Sequence, residues 1–137
     1  MKNDNLSEAH RWLAQSKRDL DDAHYSAEGG RHNLACFLAQ QAAEKALKAF
    51  LFSSGAENVW GHSVADLCTD AGDFDGEFLE LKKTAASLDK YYIPTRYPNG
   101  LPGGIPAEAF IKEDSEHALK TVKLTIETVE KKIHRGV

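Results

Sequence analysis

The chain has 137 residues, 42% of them hydrophobic and 28% charged, with a formal net charge of −4. These values fit one domain with a single core. They exclude a membrane span, because no stretch approaches the roughly 20 apolar residues one needs. They also provide no global basic field to drive nucleic-acid binding.

Taken in chain order, the sequence reads as helices. The first is predicted over about Ser7 to Ala27, with Ser7 as N-cap and Ala9, Trp12, Leu13, Ser16, Leu20, Ala23 and Ala27 as a stripe at 3–4 residue spacing. Gly29-Gly30 ends it. The second runs from about Asn33 to Ser53 and stops at Gly55. A short third helix is capped by Ser63. A fourth spans about Asp75 to Tyr91, with Phe78, Leu81, Ala85 and Leu88 on one face. Ile93 to Phe110 holds all four prolines and reads as an ordered, irregular loop. The last helix runs from about Lys112 to His134, and Ala118, Leu119, Val122, Ile126, Val129 and Ile133 form a near-heptad seam. No segment alternates long enough for a strand. The expected fold is all-α: an up-and-down antiparallel bundle of about five helices, with a Pro/Gly-rich loop before the last. It forms one domain over residues 1–137, its core at about 7–135.

Met1-Lys-Asn-Asp-Asn leads into a polar helix without the apolar centre of a signal peptide. Cys36 and Cys68 lack CxxC spacing and a histidine at zinc-ligand distance. They read as reduced, partly buried thiols in a cytoplasmic protein with no metal site.

Chemistry concentrates in two places. The run Phe37-Leu-Ala-Gln-Gln-Ala-Ala-Glu-Lys-Ala-Leu-Lys-Ala-Phe50 sets polar groups into an alanine-rich helix made of strong helix formers. Gln41, Glu44, Lys45 and Lys48 are 3, 4 and 7 residues apart and share a face, with Gln40 at its edge. They form either a solvated face with one weak Glu44–Lys48 pair or a polar strip lining an interface or pocket. In Leu88-Asp-Lys-Tyr-Tyr-Ile-Pro-Thr-Arg-Tyr-Pro, Asp89, Tyr92, Arg96 and Tyr97 crowd a segment stiffened by Pro94 and Pro98. An arginine fork for phosphate beside aromatic faces for a base suits a nucleotide. Alternatively the tyrosines fill space and Arg96 pairs with Asp89. His62, just before the Ser63 cap, is either a base or phosphate donor at a helix N-terminus or a packed, hydrogen-bonded side chain. GxxxxGK[ST], GxGxxG, HExxH and GxSxG are all absent. The carboxylates Glu113, Asp114, Glu116, Glu127 and Glu130 of the last helix are expected to face solvent.

Several of these residues together resemble the HEPN domain (higher eukaryotes and prokaryotes nucleotide-binding). They are Ala9-His-Arg-Trp-Leu with Asp19-Leu20 and Ala23, then Gln40-Gln-Ala-Ala-Glu-Lys-Ala-Leu-Lys-Ala, His62-Ser63, Thr95-Arg-Tyr-Pro, and Ile105-Pro with Phe110. The resemblance covers about residues 7 to 135 and is to the small stand-alone prokaryotic members, with a loop also similar to that of the sacsin HEPN domain. It implies a homodimer whose cleft takes a nucleotide such as ATP or GTP, and a minimal nucleotidyltransferase partner in a toxin–antitoxin-like pair. Many HEPN proteins are metal-independent RNases that use Arg-x(4–6)-His. Counting from Arg96, those positions hold Leu101, Pro102 and Gly103. Arg18 does have His24 at that distance, but on the first helix, where six residues separate them by about 120° around the axis.

No residue is therefore assigned a catalytic role. The leading expectation is a binding module with Arg96, Tyr97, Tyr92, Lys48, Lys45, His62, Gln41, Glu44 and Asp89 as ligand-site candidates. Two alternatives stand beside it. One is a divergent RNA-cleaving toxin in which His62 replaces the missing histidine, provided that His62 and Arg96 converge to within about 10 Å. The other is an oligomerisation scaffold without a ligand.

Overall fold

Twenty-seven residues of unbroken helix open the chain, α1 over Lys2–Glu28. The structure, a computed structural model, describes residues 2–135, with side-chain burial over 4–133. The expected cap at Ser7 is not used, and Ser7 lies exposed inside the helix. No glycine or proline interrupts residues 2–7, and Asp4 in the first turn suits the positive helix end. The helix ends where the glycine pair predicts. Gly30 takes φ +78°, its N–H reaches Ala27 O at 3.0 Å, and Arg31 N reaches Ser26 O at 2.8 Å. That is a Schellman closure. So short a turn makes α2, His32–Ser53, an antiparallel neighbour of α1.

α2 is the centre of the bundle, packing on α1, α6 and α3. Ala35, Ala39, Ala42, Ala43, Ala46 and Ala49 are all fully buried. Their small side chains let α1 approach closely enough for Ser16 Oγ to donate to the Ala42 carbonyl at 2.6 Å. α3, Val64–Gly72, starts at Ser63 as predicted, with Ser63 Oγ accepting from Asp66 N at 3.1 Å.

The predicted fourth helix is shorter than expected. α4 covers Glu77–Ala85, and residues Ala86–Tyr91 tighten into a 3-10 helix. In that winding residues three apart eclipse. Leu88 and Tyr91 therefore both enter the core, while Asp89 turns towards α3.

Residues 93–110 are less irregular than expected. They contain a 3-10 turn at Pro98–Gly100 and one helical turn, α5, at Pro106–Ala109, each opened by a proline. Buried Thr95 bonds back to Tyr91 O, and Asn33 Nδ2 donates to Thr95 O at 3.1 Å. The segment is thereby fastened to the start of α2.

α6, Lys112–Arg135, buries Ala118, Val122, Ile126, Val129 and Ile133 along the predicted seam. Lys132 ties it to Asp75 at 2.8 Å, just before α4, and Lys17 ties α1 to Glu130 at 2.8 Å. Glu113, Glu116 and Glu127 are exposed as expected. Asp114 and Glu130 are half-buried and occupied, Asp114 by accepting from Ile111 N at 2.9 Å.

The fold is an all-α bundle, and no strand occurs among the described residues. No described helix is long and apolar enough to cross a membrane. Both cysteines are fully rather than partly buried, because each lies on the inward face of its helix, and both are free. Burial pushes each thiol up to about 12.

Candidate functional site

The polar strip of α2 is not a solvated face. Gln40 is completely buried, Glu44 is 4% exposed and Lys48 is 7% exposed. Burying such groups is costly unless every one is paired, and here each is. Lys48 Nζ donates to Glu44 Oε1 at 3.0 Å, and His62 Nδ1 meets the same oxygen at 3.0 Å. Gln41 Nε2 donates to Glu44 Oε2 at 3.1 Å and to Gln40 Oε1 at 2.7 Å. Gln40 Nε2 in turn donates to the His62 carbonyl at 2.8 Å. No buried side-chain polar atom among the described residues lacks a partner.

This network holds the loop before α3 by both its backbone and its histidine ring. A carboxylate paired with an ammonium only accepts hydrogen bonds, so Nδ1 of His62 is the donor and Nε2 has no protein partner among the described residues. The imidazole is 62% exposed and stacks on Tyr92, with centroids 5.1 Å apart.

Tyr92 links this network to the second group. The Arg96 guanidinium carbon lies 4.7 Å from the Tyr92 ring centre, 4.3 Å from Phe37 and 5.2 Å from Tyr97. Arg96 Nε donates to Tyr92 O at 2.9 Å. Its other two nitrogens carry no hydrogen bond or ion pair among the described residues. Three rings thus hold the guanidinium by cation–π contact and leave its fork open. Since His62 and Arg96 both pack on Tyr92, at 5.1 and 4.7 Å, they lie within about 10 Å of each other.

Two candidates sit elsewhere. Asp89 does not pair with Arg96. It accepts from Ser63 Oγ at 2.9 Å, Val64 N at 2.6 Å and Ala65 N at 3.0 Å, so it caps α3. The 3-10 winding aims it there. Lys45 turns to α1, pairs with Asp19 at 2.6 Å and lines a groove of about 660 Å³ with Glu8, Arg11, Trp12 and Gln15. Two residues join the site that the sequence reading places elsewhere. Phe37 stands in the sequence only as the start of the alanine-rich run, and Trp12, whose ring lies 5.5 Å from Lys48 Nζ, as part of the stripe of the first helix. Phe37 stands four residues before Gln41 and seven before Glu44, so its shared face is readable from spacing.

Beside His62 on the α3 side is a hollow of about 390 Å³ bordered by Trp60, Ser63, Asp66, Thr69 and Asp70. Its carboxylates disfavour an anion there, whereas the Tyr92 side presents Arg96. Among the described residues no His, Cys, Asp or Glu cluster has the geometry to hold a metal ion.

The site therefore sits on a bundle centred on an alanine-rich helix, with a pinned histidine and an aromatic-clasped arginine at one side. The HEPN domain family matches residues 9–132, and the chain belongs to that family. It is similar in structure to TT1696 from Thermus thermophilus, at 39% identity and a TM-score of 0.79, covering 91% of this chain and 98% of that one. It is also similar to ST0689, described as an archaeal HEPN homologue, at 35% identity and a TM-score of 0.75, covering 92% and 98%. A relative from Methanocaldococcus jannaschii, 24% identical over 134 residues (91% of this chain and 88% of that one), carries the name "Putative toxin MJ1304".

Proposed function

We propose that this HEPN protein is a homodimeric nucleotide- or anion-binding module acting beside a minimal nucleotidyltransferase in a toxin–antitoxin-like pair. The observation that carries the reading is the open guanidinium fork of Arg96, held by Phe37, Tyr92 and Tyr97 next to His62. The arginine takes the phosphate, and half-exposed Tyr97 offers a face to the base. Gln41, Glu44 and Lys48 act behind His62 by holding it in place. Dimerisation is carried over from the HEPN resemblance, and the contact put to test is Leu34 with Ile93, each 43% exposed on the two segments joined by the Asn33–Thr95 bond.

Calorimetric titration of ATP and GTP into wild type and Arg96→Ala tests the binding site. Heats from the wild type that vanish in the variant are expected, and equal heats or none from either would refute it. Sedimentation of wild type against a Leu34→Glu/Ile93→Glu variant tests the dimer, with a shift to monomer expected.

A second reading is favoured by one specific observation. His62 and Arg96 share the Tyr92 ring, so a base and a phosphate-binding cation stand within the limit of about 10 Å set for metal-independent RNA cleavage without Arg-x(4–6)-His. Incubating RNA with EDTA and either wild type or His62→Ala decides it. Cleavage lost with the histidine supports this reading, and intact RNA with the wild type removes it.

A further inference from the structure

Each further phosphate of a nucleotide adds affinity only where it meets a cation, a metal ion or free N–H donors. The residues proposed from the sequence as ligand-site candidates include three strong cations, but two are ion-paired. Lys48 is buried against Glu44, and Lys45 is paired with Asp19 across the α1 groove. Lys90, close in sequence, lies over Tyr91, a ring that turns into the core against Phe110. Of the three, Arg96 alone has no carboxylate partner among the described residues, and three aromatic rings fix where its fork stands. A triphosphate is usually held by several backbone N–H groups, a lysine and a carboxylate-bound Mg²⁺. The sequence has no glycine-rich phosphate loop. The N-terminus of α3, the nearest set of amides, is already filled by Asp89.

We infer that each copy of the chain has one phosphate seat, at Arg96, so its ligand is a nucleoside monophosphate rather than a di- or triphosphate. This rests on the nucleotide-binding reading above. Additional phosphates gain no partner and meet a protein of net charge −4, so they leave affinity flat or lower it.

The test is calorimetry with adenosine, AMP, ADP and ATP, and with the guanosine series, each with and without Mg²⁺, against wild type and Arg96→Ala. Circular dichroism confirms that the variant is folded. AMP or GMP is expected to bind at least about tenfold more tightly than its nucleoside. The di- and triphosphates should lie within about threefold of the monophosphate or weaker, and Arg96→Ala should reduce every nucleotide to the nucleoside level. Affinity that rises about tenfold from AMP to ATP and depends on Arg96 overturns the single-phosphate seat while leaving the site in place. The absence of any Arg96-dependent binding overturns the seat and the nucleotide-binding reading together.

Discussion

Glu44 Oε1 receives His62 Nδ1 at 3.0 Å and Lys48 Nζ at 3.0 Å, so one buried carboxylate both neutralises an ammonium and orients an exposed imidazole. The helix that supplies Glu44 is the most buried in the bundle, and the histidine belongs to a loop. The pair therefore transmits the rigidity of the core to the candidate site. Gln40, by holding the His62 carbonyl, does the same for the backbone.

Glu44→Ala removes the carboxylate paired with Lys48, whose side chain is 9% exposed. Leaving one partner of a buried pair costs about 3–5 kcal/mol. Urea unfolding of Glu44→Ala is expected to show a loss of that order. The double variant Glu44→Leu/Lys48→Met is expected to recover most of it, because no lone charge remains buried.

Asp89 closes three donors at the start of α3. Asp89→Ala frees them and is expected to lower stability by about 1–2 kcal/mol. Because the 3-10 segment carrying Asp89 leads directly to Tyr92, Arg96-dependent ligand binding is expected to weaken as well. Parallel denaturation and calorimetry of this variant measure both effects.

Alanine at the α1–α2 crossing is a packing requirement. Ala42→Leu must fit a larger side chain where Ser16 already bonds to the Ala42 carbonyl at 2.6 Å. Overpacking of this kind costs about 1–3 kcal/mol. Ala14→Leu, on the exposed side of α1, is the control and is expected to change stability by less than about 0.5 kcal/mol.

The thiols set an alkaline limit. Both have pKa values raised by burial from 9.0 to about 12, so the folded chain keeps protons that the unfolded chain releases above pH 9. Stability is therefore fully present below pH 9 and falls as pH rises towards 12. The slope is up to about 1.4 kcal/mol per pH unit for each cysteine. Denaturation at about pH 8 and about pH 10.5 checks this, and the fall is expected to be shallower in Cys36→Ala/Cys68→Ala. A disulfide reagent at about pH 8 is expected to titrate neither thiol until the chain unfolds.

The helices are legible in the sequence because their signals are local. Glycines stop α1 and α2, Ser63 caps α3, and 3–4 residue spacing marks the buried face of α6. The departures are local too. Ser7 has the chemistry of a cap but lies inside a helix that needs none there, and the end of α4 gives way to the tighter winding that brings Leu88 and Tyr91 into the core. Fold class and family are readable without coordinates, since the Gln-Gln-Ala-Ala-Glu-Lys-Ala-Leu-Lys-Ala run stands with His-Ser and Arg-Tyr-Pro in one chain.

The partners of the polar residues are a different matter. Spacing puts Gln41, Glu44, Lys45 and Lys48 on one face, but their fates depend on what packs there. Lys45 goes to Asp19 on α1, Lys48 and His62 meet on Glu44, and Asp89 goes to α3 instead of Arg96. Sequence alone determined that a helical bundle carries a polar strip on its alanine-rich helix and an arginine among tyrosines. Only the tertiary structure decided that the first is a buried, fully paired network and the second an open fork. Helical periodicity is written in neighbours three and four residues apart, whereas the partner of a charge is chosen by segments tens of residues away.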